Sequence, residues 1–181
     1  MGEKYKELNQ KHIDFIARQK IFFTATADTD SRVNLSPKGL DSFRVIDNNL
    51  VIFLNKVGSG NESAAHIQNG IDNPRMTIMF CSFDESPMIL RLYGRAIEIL
   101  SDNPNFESLL KNFDDIIGVR QIFALDIDLV QTSCGFGVPL FDFKGDRQTL
   151  NKWAVNKGDD GLKEYIRSKN SISLDGKNIL I

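Results

Sequence analysis

The 181-residue sequence predicts a mainly β, α+β domain: a mostly antiparallel sheet or barrel with peripheral helices. Three observations point there. Six or seven segments rich in β-branched and aromatic residues are each closed by turn-forming residues. These segments follow one another in hairpin order. The helical stretches between them are too few and too short for alternating βαβ units, which parallel sheets require.

Residues 3–19 read as an amphipathic helix, with Leu8, Ile13, Phe15 and Ile16 as a narrow apolar stripe among Lys and Glu. The texture changes at Ile21. IFFTATA is a strand stopped by the turn cluster Asp28-Thr29-Asp30-Ser31. RVNLS follows and is broken by Pro37 and Gly39. FRVI and LVIFLN form a hairpin about Asp47-Asn48-Asn49. After Gly58-Ser59-Gly60, NESAAHIQNG reads as a short helix that Gly70 ends. RMTIMFCSF and MILRLYGRAIEIL are strands joined at Asp84-Glu85-Ser86-Pro87, and residues 102–113 look helical around Pro104. QIFALDIDLVQ is a long strand, and SCGFGVP is the glycine-rich break after it. DRQTLNKWAV and GLKEYIRSKN read as two helices, and the tail SISLDGKNILI is irregular. Without a repeat or a low-complexity linker, the chain is one domain over 1–181, with an N-terminal helix at 1–19 and a C-terminal helical extension at 140–181.

Composition excludes several classes. Hydrophobic residues make up 41% and charged residues 25%, which suits a packed core and not a disordered chain. Lys and Arg number 22 against 24 Asp and Glu, so the basic excess of a nucleic-acid binder is missing. No apolar run reaches membrane-spanning length. The opening MGEKYKELNQKH is too polar for a secretory signal, and Lys6 breaks the myristoylation pattern that Met1-Gly2 begins. Cys81 and Cys134 form no CxxC pair, and with two histidines no zinc constellation assembles along the sequence. A reduced, cytoplasmic protein is expected.

Four features carry candidate chemistry. GSGNES has the layout of an anion cradle, in which small residues let backbone N–H groups reach an oxyanion and a helix points its positive end at it. A turn with an N-cap would look the same. Lys38, after Ser36-Pro37, and Arg44 lie near facing strand ends; they either face one phosphate or are solvated. In SCGFGVP, Gly135 would let backbone approach a flat ligand and Phe136 would stack on it, or the segment is a sharp bend. Arg91, Tyr93 and Arg95 share one strand face, which lines a polar cavity, an interface or solvent. Asp126 and Asp128 lack further ligands for a metal, His66 reads as a cap or packing residue, and Trp153 reads as core.

Taken in order, FFTATAD, VNLSPKG, LVIFLN, GSGNES, NPRMTIMF and LRLYGRAIE resemble the pyridoxamine 5'-phosphate oxidase-like FMN-binding split-barrel family, from about residue 20 to about residue 100. SCGFGVP and the C-terminal helices resemble a bacterial subgroup of it. The resemblance implies a split β-barrel and a homodimer holding FMN in clefts at the subunit interface. It places the FMN phosphate on Ser36, Lys38, Ser59, Gly60, Asn61 and Glu62, with Asn55 bordering the flavin ring. Arg44 joins by spacing. Arg91 stands two residues after Ile89, the position where relatives often carry Gln, and Gly135 and Phe136 would cover the ring. The authentic oxidase has an Arg-x-x-x-x-Lys strand and a Ser-Arg-Lys turn; Gly60-Asn61-Glu62 replaces that basic pair, so fewer cations and more backbone N–H groups are expected at the phosphate. The implied function is an FMN-dependent oxidoreductase acting on an unknown small molecule. The alternatives are a flavin or haem binding or storage protein, a deazaflavin-dependent reductase, or a dimerising barrel without cofactor.

Overall fold

In the computed structural model, which describes residues 2–70 and 72–181, eight strands form one curled antiparallel sheet accompanied by four helices. The order is β1 (Lys4–Tyr5), α1 (Gln10–Arg18), β2 (Phe22–Thr26), β3 (Asn34–Lys38), β4 (Phe43–Val45), β5 (Leu50–Lys56) and α2 (Asn61–Asn69), then β6 (Arg75–Cys81), β7 (Ile89–Ile99), α3 (Phe106–Leu110), β8 (Val119–Ser133) and α4 (Thr149–Lys169). Across the sheet the strands run β3-β2-β6-β7-β8-β5-β4, with β1 added beside β8. The 15-residue β8 is the spine, since it pairs with β7 along most of its length and with both β5 and β1.

The sheet curls until its ends meet through side chains. Phe22 on β2 packs edge-on against Phe43 on β4 at 5.0 Å, although these strands lie toward opposite ends of the order. Edge strand β3 reaches β5 in the same way, through Lys38 Nζ and Asn55 Oδ1 at 2.9 Å. No strand hydrogen bonds bridge that gap among the described residues, which makes the barrel a split one. Val51, Phe53, Phe123 and Leu125 fill the inside with Phe22, Ile78 and Phe80. Ile52, Leu54, Ile122 and Ala124 face the other way and are covered by Phe106 and Phe113. Burial on both faces explains why LVIFL is uniformly apolar instead of alternating.

Several expectations shift. The helix expected over 3–19 starts at Gln10, because Asn9 caps it in a reciprocal box with His12, and Lys4–Tyr5 joins the sheet instead. β3 passes through Pro37, which is tolerated because β3 is an edge strand with no partner on its outer side. The helix expected over 102–113 contracts to Phe106–Leu110. The two C-terminal helices form one element broken at Gly158, whose φ of 65° is left-handed. Trp153 is not core. It is half-buried against Tyr165 and Lys157, because nothing packs outside α4, whose only buried residue is Ala154. Met1 of the Met1-Gly2 pair lies outside the described residues. Among the described residues no helix is long and apolar enough to cross a membrane.

Candidate functional site

The site is assembled at the seam where the sheet nearly closes. β5 ends at Asn55 and Lys56, and opposite them the register of β8 slips: Asn55 faces Gln121 while Lys56 faces Val119. Arg120 is the extra residue, the bulge. A bulge re-aims its side chain, and the Arg120 guanidinium turns toward the GSGN turn. Nη1 donates to Ser59 O at 3.2 Å and to Asn61 Oδ1 at 2.6 Å, and Nη2 donates to Asn170 O at 3.3 Å.

Lys38 approaches the same turn from β3. Its ammonium donates to Asn55 Oδ1 at 2.9 Å and to Ser59 Oγ at 3.5 Å. Asn55 is buried and ties the turn down, donating from Nδ2 to Ser59 O at 3.0 Å. Gly60 caps α2 with φ 80°, and a Cβ there would lie 2.3 Å from Asn55 Nδ2. Conformation and space both demand glycine. No side chain caps α2, so its first-turn N–H groups stay open to an external acceptor.

The electrostatics are unbalanced. Lys38 and Arg120 bond only to neutral oxygens, and neither has a salt bridge among the described residues. Burial, and then repulsion from Arg120, pull the Lys38 pKa down to about 8. Burial likewise lowers Arg120, and the Glu98 carboxylate offsets part of that effect without bonding to it. Two cations, a hydroxyl and an uncapped helix end converge on one turn, and together they suit a phosphate dianion. The donors present therefore fit the phosphate of FMN. Arg120 also corrects the expectation of fewer cations: a distant strand supplies the charge that the turn lacks.

Other sequence candidates lie elsewhere. Ser36 on β3 donates to Asn34 Oδ1 at 3.0 Å. Glu62 turns to the C-terminal tail, accepting from Leu174 N at 2.9 Å. Arg44 is not brought to the cluster; it pairs with Asp41, donates to Asn112 O at 2.8 Å and stacks on Phe113. Arg91 donates to Ser133 Oγ at 3.1 Å on the strand face. Gly135 is left-handed with φ 67° and seats against the Met88 backbone, which holds the bend that leaves Phe136 exposed. A cavity of about 710 Å³ adjoins Lys38, walled by Phe83, Phe141 and Phe143 with Arg18, Lys20 and Arg147. Those aromatic residues and Arg120 were missed in the sequence. The available signal for Arg120 was an arginine at the mouth of an otherwise apolar strand.

Comparison with known proteins follows the same lines. The profile of the family described as pyridoxamine 5'-phosphate oxidase matches residues 8–134. A pyridoxamine 5'-phosphate oxidase family protein of Aspergillus flavus, ustO, is 38% identical over 192 residues, covering 95% of this chain and 75% of that protein. Among solved structures, a candidate pyridoxamine 5'-phosphate oxidase from Lactobacillus delbrueckii superimposes with a TM-score of 0.56 at 17% identity, covering 70% of this chain and 94% of that one. HupZ of Group A Streptococcus gives 0.55 at 18% identity, covering 69% and 98%. At these identities the two structures speak for the fold alone.

Proposed function

The chain belongs to the pyridoxamine 5'-phosphate oxidase family, and from that premise we propose that it is an FMN-binding flavoprotein, an oxidoreductase acting on a small molecule as a homodimer. The observation that carries the reading is the pair Lys38 and Arg120, two buried or half-buried cations aimed at one glycine turn with no anion to neutralise them. Cations are desolvated at a cost, and a bound phosphate offsets that cost.

Lys38, Arg120, Ser59 Oγ and the open end of α2 would hold the phosphate. The aromatic walls of the adjoining cavity, Phe83, Phe141 and Phe143, suit a flat ring system and keep water from it. A bound flavin supplies the electron-transfer chemistry, as a hydride equivalent or as single electrons. The protein's share is to bind and orient. Both histidines have structural partners, His12 in the α1 cap and His66 on Thr26, so neither serves as a general base in this cavity. The lining also lacks a His, Met, Cys or Tyr ligand for haem iron, which favours flavin over haem. The dimer reading is supported by apolar side chains left open, among them Val33 and Leu35 on edge strand β3 and Phe136 and Phe141 beyond β8.

The test is an absorption spectrum of purified protein before and after incubation with FMN and desalting. Flavin bands retained by the wild type and lost in the Lys38→Ala, Arg120→Met double variant are expected. A protein that emerges colourless after exposure to FMN defeats the proposal.

A further inference from the structure

We propose that Glu62, His66 and Asp175 form a divalent-cation site of the zinc class that fastens the C-terminal tail to α2. Glu62 and His66 are four residues apart on α2 and so share one face. The tail returns to that face, with Leu174 N donating to Glu62 Oε1 at 2.9 Å. One imidazole nitrogen and one oxygen from each carboxylate lie within 4.8 Å of one another. That separation allows an ion between them: at zinc bond lengths of about 2.0–2.2 Å, ligands settle about 3.4 Å apart, a closure that side-chain rotation supplies.

His66 gives the second, independent observation. It is only 2% exposed, and Nδ1 sits 3.0 Å from Thr26 Oγ1. The same hydroxyl accepts from Asn34 Nδ2 at 3.2 Å. A hydroxyl oxygen can accept from both, which makes Nδ1 the protonated nitrogen and leaves the Nε2 lone pair without a protein partner among the described residues. Orientation of one ring nitrogen by a hydrogen bond while the other stays open is how proteins prepare a metal-binding imidazole. His66 makes no salt bridge with either carboxylate. The present competitor is Arg32, which pairs with Asp175 and also donates its backbone N–H to Oδ2 at 2.9 Å. The Arg32 side chain is 72% exposed, so a cation displaces its guanidinium at little cost. Imidazole with two carboxylates suits zinc better than calcium or magnesium, and water would complete the coordination.

The consequence would reach the phosphate cluster without depending on it. Lys169 O accepts from Asn61 Nδ2 and Asn170 O accepts from Arg120, so anchoring the tail steadies both partners of the turn.

The experiment uses the full chain, stripped with chelator, desalted and titrated with Zn²⁺ against a chromogenic chelator, with the thermal midpoint followed in parallel. One equivalent is expected, together with a higher midpoint. Asp175→Asn and His66→Gln should each weaken zinc binding at least tenfold, and Arg32→Ala should tighten it severalfold. If His66→Gln does not fold, Asp175→Asn on the exposed tail decides alone. Absence of uptake, or equal uptake by the wild type and the variants, overturns the site. FMN retention is read on the same samples, so loss of zinc binding and loss of flavin binding are told apart.

Discussion

Lys56 and the pair Lys38–Arg120 lie within a few residues of one another at the seam, yet they are solved in opposite ways. Lys56 is 6% exposed and bonded to Asp115 Oδ2 at 2.8 Å, with Asn151 Oδ1 also at 2.8 Å. Burial pulls the Asp115 carboxyl upward, but the bonds from Lys56 and Asn151 outweigh it and hold its pKa below the usual range. This cation is neutralised within the chain, and it ties the loop before β8 and the start of α4 to β5. Lys38 and Arg120 meet only carbonyl, amide and hydroxyl oxygens. A buried charge that is paired serves the fold, whereas one left unpaired at an open turn is prepared for something that binds.

The comparison can be broken or sharpened by experiment. The largest effect is expected from Asp115→Ala, which strands the buried Lys56 ammonium and should lower stability by about 3 kcal/mol in chemical denaturation. FMN affinity should stay put. The sign with pH follows from the depressed carboxyl: the contribution is present above its unfolded pKa and is lost as pH falls through its folded one. Acid unfolding of the wild type should therefore begin below the ordinary carboxylate range and vanish as a separate step in the variant.

Arg120→Met reverses the pattern. FMN affinity should fall by about 1.5–3 kcal/mol, roughly ten- to a hundredfold, with a smaller loss of stability than Asp115→Ala causes. Equal affinities for wild type and variant would make Arg120 a structural cation like Lys56. Lys38→Ala should cost affinity over the same range and carry a pH signature as well. With its pKa at about 8 instead of 10.5, the Lys38 ammonium deprotonates in the free protein as pH rises past about 8, and FMN binding should weaken there. The folded chain binds that proton less tightly than the unfolded chain, so ligand-free stability should rise between those two values. A flat affinity profile for wild-type protein over pH 7–10 would remove Lys38 from the phosphate. The smallest effect belongs to Phe136→Ala. An 80% exposed ring contributes under about 0.5 kcal/mol to monomer stability, but its loss should shift the bound-flavin spectrum or the dimer fraction. If neither moves, the SCGFGVP bend is remote from the cofactor.

Much of the fold was legible because hydrophobic periodicity and turn chemistry act over a few residues. The hairpin at Asp47-Asn48-Asn49 and the helix from Asn61 to Asn69 stand where the chain predicts them. The short β1 was hidden in a stretch that also suits a helix, since two residues pair with Val130 and Gln131 far along the chain. Lys38, Asn55, Ser59, Gly60 and Asn61 were legible as a group through the resemblance, and the structure brings them together. Arg44 was not, because spacing alone cannot show that Asp41 and Phe113 hold it elsewhere.

The amino-acid sequence by itself determined the strand and turn order, the glycine at position 60 and the lysine at the end of β3, because each depends on local backbone preference or residue type. Only the tertiary structure decided that Arg120 completes the cation pair, that Asp115 neutralises Lys56, and that Asp175 returns to His66. Each of those depends on residues more than fifty positions apart meeting at one place, and on a one-residue slip in strand register that no local pattern records.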